Sequence, residues 1–233
     1  QRYAVLNSYG NAGKTTLVRH VLMLRMPDAV VHSLSLESRW SDWDRQGGLG
    51  DLMTKDRVIV DVAISKYDAF VRMLAQYSGA HDLFDYYVLP VTPESVPQDR
   101  TLCTVSTLNG LGVPAEMIHV VFNNVKRGTD VCRAFARLFQ ARDAGSVACT
   151  LSREAVLYRH AVIDELYGVD QSLSDLLADT TNWTDWTLAA RSAKTIAERD
   201  RVVTRAKRCM LARGSQDAVR NLDQLSRSLV GLP

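Results

Sequence analysis

The chain has 233 residues, 46% of them apolar and 23% charged, which suits one α/β domain of ordinary size or two small ones and excludes a long disordered or collagen-like protein. Lys and Arg number 28 against 26 Asp and Glu, a net charge of +2, so the chain is no histone-like polycation, although a local basic patch remains compatible with it. No window of about 18 apolar residues could span a membrane, and the opening residues lack the charged region and cleavage site of a signal peptide. The cysteines, Cys103, Cys132, Cys149 and Cys209, are widely spaced without a C-x-x-C pair. They read as reduced thiols filling the core of a cytoplasmic protein, not as zinc ligands.

The first element is a strand over residues 2–7, whose Tyr3-Ala4-Val5-Leu6 run is short and apolar enough to be covered on both faces. It runs into Ser8-Tyr9-Gly10-Asn11-Ala12-Gly13-Lys14-Thr15-Thr16 and then a helix from Lys14 to about Met26, with Leu17, Val18, Val21, Leu22 and Leu24 on a broad apolar face. Pro27 stops it. Residues 29–36 read as a second strand, residues 39–56 as mostly loop with one short helix, and residues 57–62 as a third, β-branched strand carrying Asp61 near its end. A helix is expected over 68–77, and a strand over 85–91 ended by Pro90 and Pro93. Another helix runs from Pro97 to about Asn109, closed by Gly110, Gly112 and Pro114. A fifth strand over 117–122 carries Asn123-Asn124 at its end; a helix over 129–140 and a short strand over 146–150 follow. From Leu151 onward the pattern reads as all helix, with Ser152, Ser172 and Thr184 as N-caps. Strands alternating with helices indicate βαβ units, hence an α/β fold with a mostly parallel sheet flanked by helices. Residues 1–155 form the expected core, and 156–233 a helical C-terminal extension packed on it.

The segment that carries chemistry is Gly10-Asn11-Ala12-Gly13-Lys14-Thr15-Thr16, leaving a strand and opening a helix. It meets the second half of the P-loop pattern G-x-x-x-x-G-K-[ST]; the first glycine position falls on Ser8. Gly10 and Gly13 let the backbone turn its N–H groups toward phosphate oxygens, and the helix N-terminus adds its dipole. Lys14 is expected on the β- and γ-phosphates of ATP or ADP, Thr15 on Mg²⁺, and Thr16 on the α-phosphate. Asp61, at the end of a buried strand, is expected to hold the metal's water shell. Glu37, ending strand two, is a candidate to orient or deprotonate the attacking water, with Asp42 and Asp44 behind it. Asn123 or Asn124 offers an amide donor and acceptor that match the adenine edge. No guanine-specific N-K-x-D box is present, so ATP is expected over GTP.

Together these residues resemble the ParA/MinD group of deviant-Walker P-loop ATPases, and within it the plasmid-stability StbB proteins. The resemblance rests on the opening strand and its Gly10–Thr16 turn, the Val58 to Val62 strand, and Val88-Leu89-Pro90-Val91 with the Gln98-Asp99 helix after it. Leu108-Asn109-Gly110-Leu111-Gly112-Val113-Pro114 and Val120-Val121-Phe122-Asn123 complete it, over residues 2–155. It implies a slow ATPase that forms a homodimer around ATP and positions plasmid DNA with a plasmid-encoded DNA-binding partner. Such proteins carry a signature lysine at the start of the loop; here that position is Tyr9, which cannot supply positive charge. Lys66 is the candidate substitute.

In residues 191–213 eight bases face two acids, a local net of +6. Arg201, Arg205 and Arg208 fall at i, i+4 and i+7, so they share a helix face that either tracks DNA phosphates without reading bases or is simply solvated. Trp183 and Trp186 read as packing or interface residues. Two alternatives to the partition ATPase are a small-molecule P-loop kinase and a nucleotide-gated binding module with little hydrolysis.

Overall fold

A computed structural model of the chain describes residues 1–34, 48–166 and 173–230. β1 (Arg2–Val5) is followed by a helical run over residues 14–25, α1, whose middle turn, Val18–Leu22, is π-helical between α-helical ends. Then come β2 (Val30–Leu34), α2 (Gly48–Thr54), β3 (Val58–Val62), α3 (Tyr67–Gln76), β4 (Tyr86–Val91), α4 (Ser95–Gly110) and β5 (Ile118–Val125). The order closes with α5 (Val131–Ala134), α6 (Ala136–Asp143), β6 (Val156–Tyr158), α7 (Ala161–Glu165), α8 (Leu173–Ala178), α9 (Trp183–Ser192), α10 (Ile196–Gly214) and α11 (Gln216–Val230).

The six strands pair in parallel in the order β2-β3-β1-β4-β5-β6. β1 lies between β3 and β4, so the winding reverses beside it. In open parallel sheets that reversal leaves a crevice at the carboxyl ends of the strands, and the turn after β1 stands there. Helices cover both faces, the mostly parallel α/β arrangement the sequence led one to expect, and the sequence pattern explains why. Alternate strand residues face opposite ways. Ala4, Val58, Val60, Leu89, Val120 and Phe122 join one core with residues of α3, α4 and α6. Tyr3, Val5, Ile59, Val88, Val121 and Leu157 join a second with residues of α1, α8, α10 and α11. α11 presents Ala218, Leu222, Leu225 and Leu229, all buried, at helical spacing. Complete burial of each leucine is worth roughly 1.5–3 kcal/mol, so α11 belongs to the core.

Several expectations need correcting. The sixth strand is β6, residues 156–158, not residues 146–150, of which only Thr150 bridges to His119. The region after Leu151 is therefore not all helix. β4 does end at Val91, within the expected 85–91, but with Pro90 inside it; β1 pairs only with Tyr86 to Val88, so the missing Pro90 N–H disturbs no β1 ladder bond. The helix expected over 129–140 is broken at Phe135 (φ −115°, ψ 33°), whose ring is buried 4.5 Å from that of Phe122. Thr184 lies inside α9, whose cap is Asn182, accepting from Asp185 N at 2.9 Å. Ser152 caps no helix, and Ser172 lies outside the described residues. Of the cysteines, Cys149 and Cys209 are buried, Cys132 is half-buried and Cys103 is exposed.

Candidate functional site

Beyond β1 the chain is pinned to the sheet and to α4. Asn7 is fully buried; its Nδ2 donates to Pro90 O (2.9 Å) and Thr101 Oγ1 (2.8 Å), and its Oδ1 accepts from Tyr9 N (3.2 Å). Ser8, where the full P-loop pattern has glycine, donates through Oγ to Arg100 O (3.1 Å) and through N to Thr104 Oγ1 (3.2 Å). The turn itself has two left-handed residues, Asn11 (φ 54°) and Gly13 (φ 91°). A Cβ at Gly13 would stand 2.1 Å from Asn123 Nδ2, so glycine is required there both by the sign of φ and by the closeness of that amide.

Gly13 opens α1 with no side-chain cap, which leaves the first-turn N–H groups facing outward at the positive end of the helix. Lys14 is buried, and its Nζ donates to Tyr9 O at 3.0 Å across the loop. Burial lowers its pKa, and the Asp61 charge pulls it back up. Asp61 shares strand parity with Ile59, on the α1 side of the sheet, and its Oδ2 accepts from Thr15 Oγ1 at 2.8 Å. Burial raises its carboxyl above the usual range, against the Thr15 hydrogen bond and the charges of Lys14 and Arg19. A hydroxyl and a half-compensated buried carboxylate joined beneath an anion cradle fit a hard divalent cation with oxygen ligands. No group of three His, Cys, Asp or Glu able to hold a metal occurs among the described residues, so any Mg²⁺ here would depend on phosphate and water for its other ligands.

Two clefts meet at this turn. One, about 240 Å³, is lined by residues 10–16 with Ala63 and Ile64. The other, about 350 Å³, runs from Asn11, Gly13 and Thr16 past Asn123 and Asn124 to Tyr158, Arg159, His160 and Asp164. The structure thus brings Asn123 and Asn124 to the loop, but not as free amides. Asn123 Nδ2 donates to Ala12 O (2.8 Å) and its Oδ1 accepts from Asn124 N (2.8 Å), so it holds the loop. Asn124 is left-handed (φ 59°) at a β-bulge, and its Oδ1 accepts from Arg159 Nε (2.8 Å). The wall at residues 157–164 was missed in the sequence; its only local signal is the Val156-Leu157-Tyr158 trio.

Glu37, Asp42 and Asp44 lie outside the described residues. Lys66 lines neither cleft; a third cleft holds Tyr9 together with Ser8, Gly10, Ile64, Tyr67, Asp68 and Arg100. The expected stripe of Arg201, Arg205 and Arg208 is not a uniform cationic face. Arg205 is committed to Asp179, at 3.0 Å through Nε and 2.8 Å through its terminal nitrogen, and Arg208 is half-buried, leaving Arg201 exposed. Of the tryptophans, Trp186 packs against the second core while Trp183 is 63% exposed.

No family model matches the chain, and no curated protein matches it. Among solved structures, that of pnob8 ParA is similar over 95% of this chain and 97% of that chain, with 9% identity and a TM-score of 0.42. Likeness at that level supports no functional conclusion. No helix among the described residues is long and apolar enough to cross a membrane.

Proposed function

We propose that the chain is a Mg²⁺-dependent ATP-binding protein that hydrolyses ATP slowly. The observation that carries this reading is the Thr15–Asp61 hydrogen bond in the turn where left-handed Gly13 leads into Lys14. A buried lysine, an unpaired helix N-terminus and a hydroxyl–carboxylate pair at the switch point of a parallel sheet make up the parts that phosphoryl-transfer sites need. Lys14 would leave Tyr9 O for the β- and γ-phosphates, residues 10–16 would supply N–H donors, and the wall at residues 157–164 would enclose the base. Mg²⁺, held by Thr15 and Asp61, would supply charge to neutralise the phosphate oxygens. The sequence resemblance extends this reading to plasmid stability, with an ATP-dependent homodimer and a plasmid-encoded DNA-binding partner.

One observation favours the second reading, a nucleotide-gated module with little hydrolysis: Tyr9 replaces the signature lysine and Lys66 lines neither cleft. Phosphate release separates the two. Steady-state release that is slow, Mg²⁺-dependent and abolished in Lys14→Ala supports the ATPase. Tight ATP binding without release above background supports the module. Brisk turnover unchanged in Lys14→Ala contradicts both.

A further inference from the structure

The nucleotide site makes no use of the outer helices α9 and α10. They pack side by side, and between them runs a groove of about 440 Å³. It is lined by the small residues Ala190, Ala193 and Ala206 and by the larger apolar side chains of Trp183, Trp186 and Val203. The apolar surface continues along α10, where Ile196, Val203 and Met210 repeat at a seven-residue spacing and are 71%, 37% and 44% exposed. From Ile196 to Met210 the row spans about 21 Å at 1.5 Å per residue, room for about four turns of a partner helix. Contiguous exposed apolar surface of this kind marks interaction sites, and a trough between two helices accepts a third.

The rim chooses the partner. Arg191, Arg199 and Lys207 line the groove, and no carboxylate does. Arg191 and Lys207 form no ion pair among the described residues, and Arg199 has only the long, 3.9 Å contact with its neighbour Asp200. Glu198, next in the chain to Arg199, is spent in the capping box that starts α10, its carboxylate accepting from Thr195 N and Lys194 N. Trp186 Nε1 meets no acceptor among the described residues. The groove is thus apolar along its length and uncompensated in positive charge along its edge.

We infer that the groove between α9 and α10 receives an amphipathic helix of an acidic protein partner, with apolar side chains seated between Trp183, Trp186 and Val203 and carboxylates meeting Arg191, Arg199 and Lys207. The small lining residues let a helix approach closely, and large apolar anchors of that helix fill the trough. Opposite charge at the rim sets orientation and speeds encounter, with a contribution that salt screens. The site lies apart from the nucleotide clefts and does not depend on what they bind.

The test uses the whole chain and a labelled four-turn helical peptide with Leu and Phe at i, i+3, i+4 and i+7 and Glu on its flanks, followed by fluorescence anisotropy. The Glu-flanked peptide is expected to bind saturably, more weakly as salt rises. Trp183→Ala and the double variant Arg191→Glu, Lys207→Glu are each expected to weaken it by about tenfold or more. Because these side chains are exposed, the unfolding midpoint and ATP binding should hold in both variants. Equal binding of a Lys-flanked version, or no binding of the Glu-flanked one, overturns the inference. So does a groove occupied otherwise: self-association lost in Trp183→Ala, or binding to phosphatidylglycerol vesicles lost in the double variant.

Discussion

Gly13 and Asn123 are 110 residues apart in the chain and share one small volume. Replacing Gly13 with alanine meets two separate obstacles. The left-handed φ of 91° is adverse to any side chain by roughly 1 kcal/mol or more. The new Cβ also runs into Asn123 Nδ2. Asn123→Ala removes the second obstacle and leaves the first. In urea unfolding, Gly13→Ala is expected to lower stability by about 2 kcal/mol or more in the natural chain and by about 1 kcal/mol less in an Asn123→Ala background, because contacting residues do not act additively. Equal losses in the two backgrounds would mean that the amide does not fill that space. Asn123 is thereby a residue that fixes the loop's shape.

At the scale of elements, β6 shows how the helical part of the chain reaches the clefts around the Gly10–Thr16 turn. β6 pairs with β5 on one side only. On its other edge stands Asn221 of α11, buried, with Oδ1 accepting from Tyr158 N (3.0 Å), Nδ2 donating to Val156 O (2.8 Å), and His160 Nε2 at 3.3 Å. One side-chain amide thus does for this short edge what a further strand would do. Asn221→Leu leaves that backbone pair unsatisfied, at a loss of about 1–3 kcal/mol. It also frees the wall at residues 157–164. ATP affinity is expected to fall several-fold while affinity for inorganic triphosphate, which needs only the Gly10–Thr16 turn, stays level. A parallel fall in both ligands would place the effect at the phosphate end instead. This edge is also where sequence reading failed. β1, β3, β4 and β5 were legible because buried parallel strands are unbroken apolar runs, and the Gly10–Thr16 turn because its chemistry is local. β6 is three residues long, and residues 146–150 offered an equally good run. Its place, like the engagement of Asn123 with Ala12 across 111 residues, depends on contacts that no local pattern contains.

Across the whole molecule, the second core binds the sheet to α1, α8, α10 and α11, and His20 is caught in it. His20 sits in the π-helical turn of α1 and is 6% exposed. Burial pushes its pKa down to about 4, Arg19 acts in the same direction, and Asp175 opposes. The unfolded chain binds this proton near 6.5 and the folded chain does not until about 4. Stability from this group is therefore complete above pH 6.5 and declines as pH falls from 6.5 to about 4, by a total on the order of 3 kcal/mol. His119 and His160 are shifted the same way, also by burial first. Urea midpoints measured between pH 7 and 5 are expected to fall in the natural chain and to fall less in His20→Gln. Identical slopes would show that His20 takes up its proton without unfolding.

The direct trial of the nucleotide reading is calorimetric titration of the folded chain with ATP in the presence of Mg²⁺. Saturable binding is expected at one nucleotide per chain, weakened by about tenfold or more in Lys14→Ala, a charge-assisted contact being lost. If the folded chain takes up no ATP at millimolar concentration, or if Lys14→Ala binds as tightly as the natural chain, the turn after β1 is not a triphosphate site.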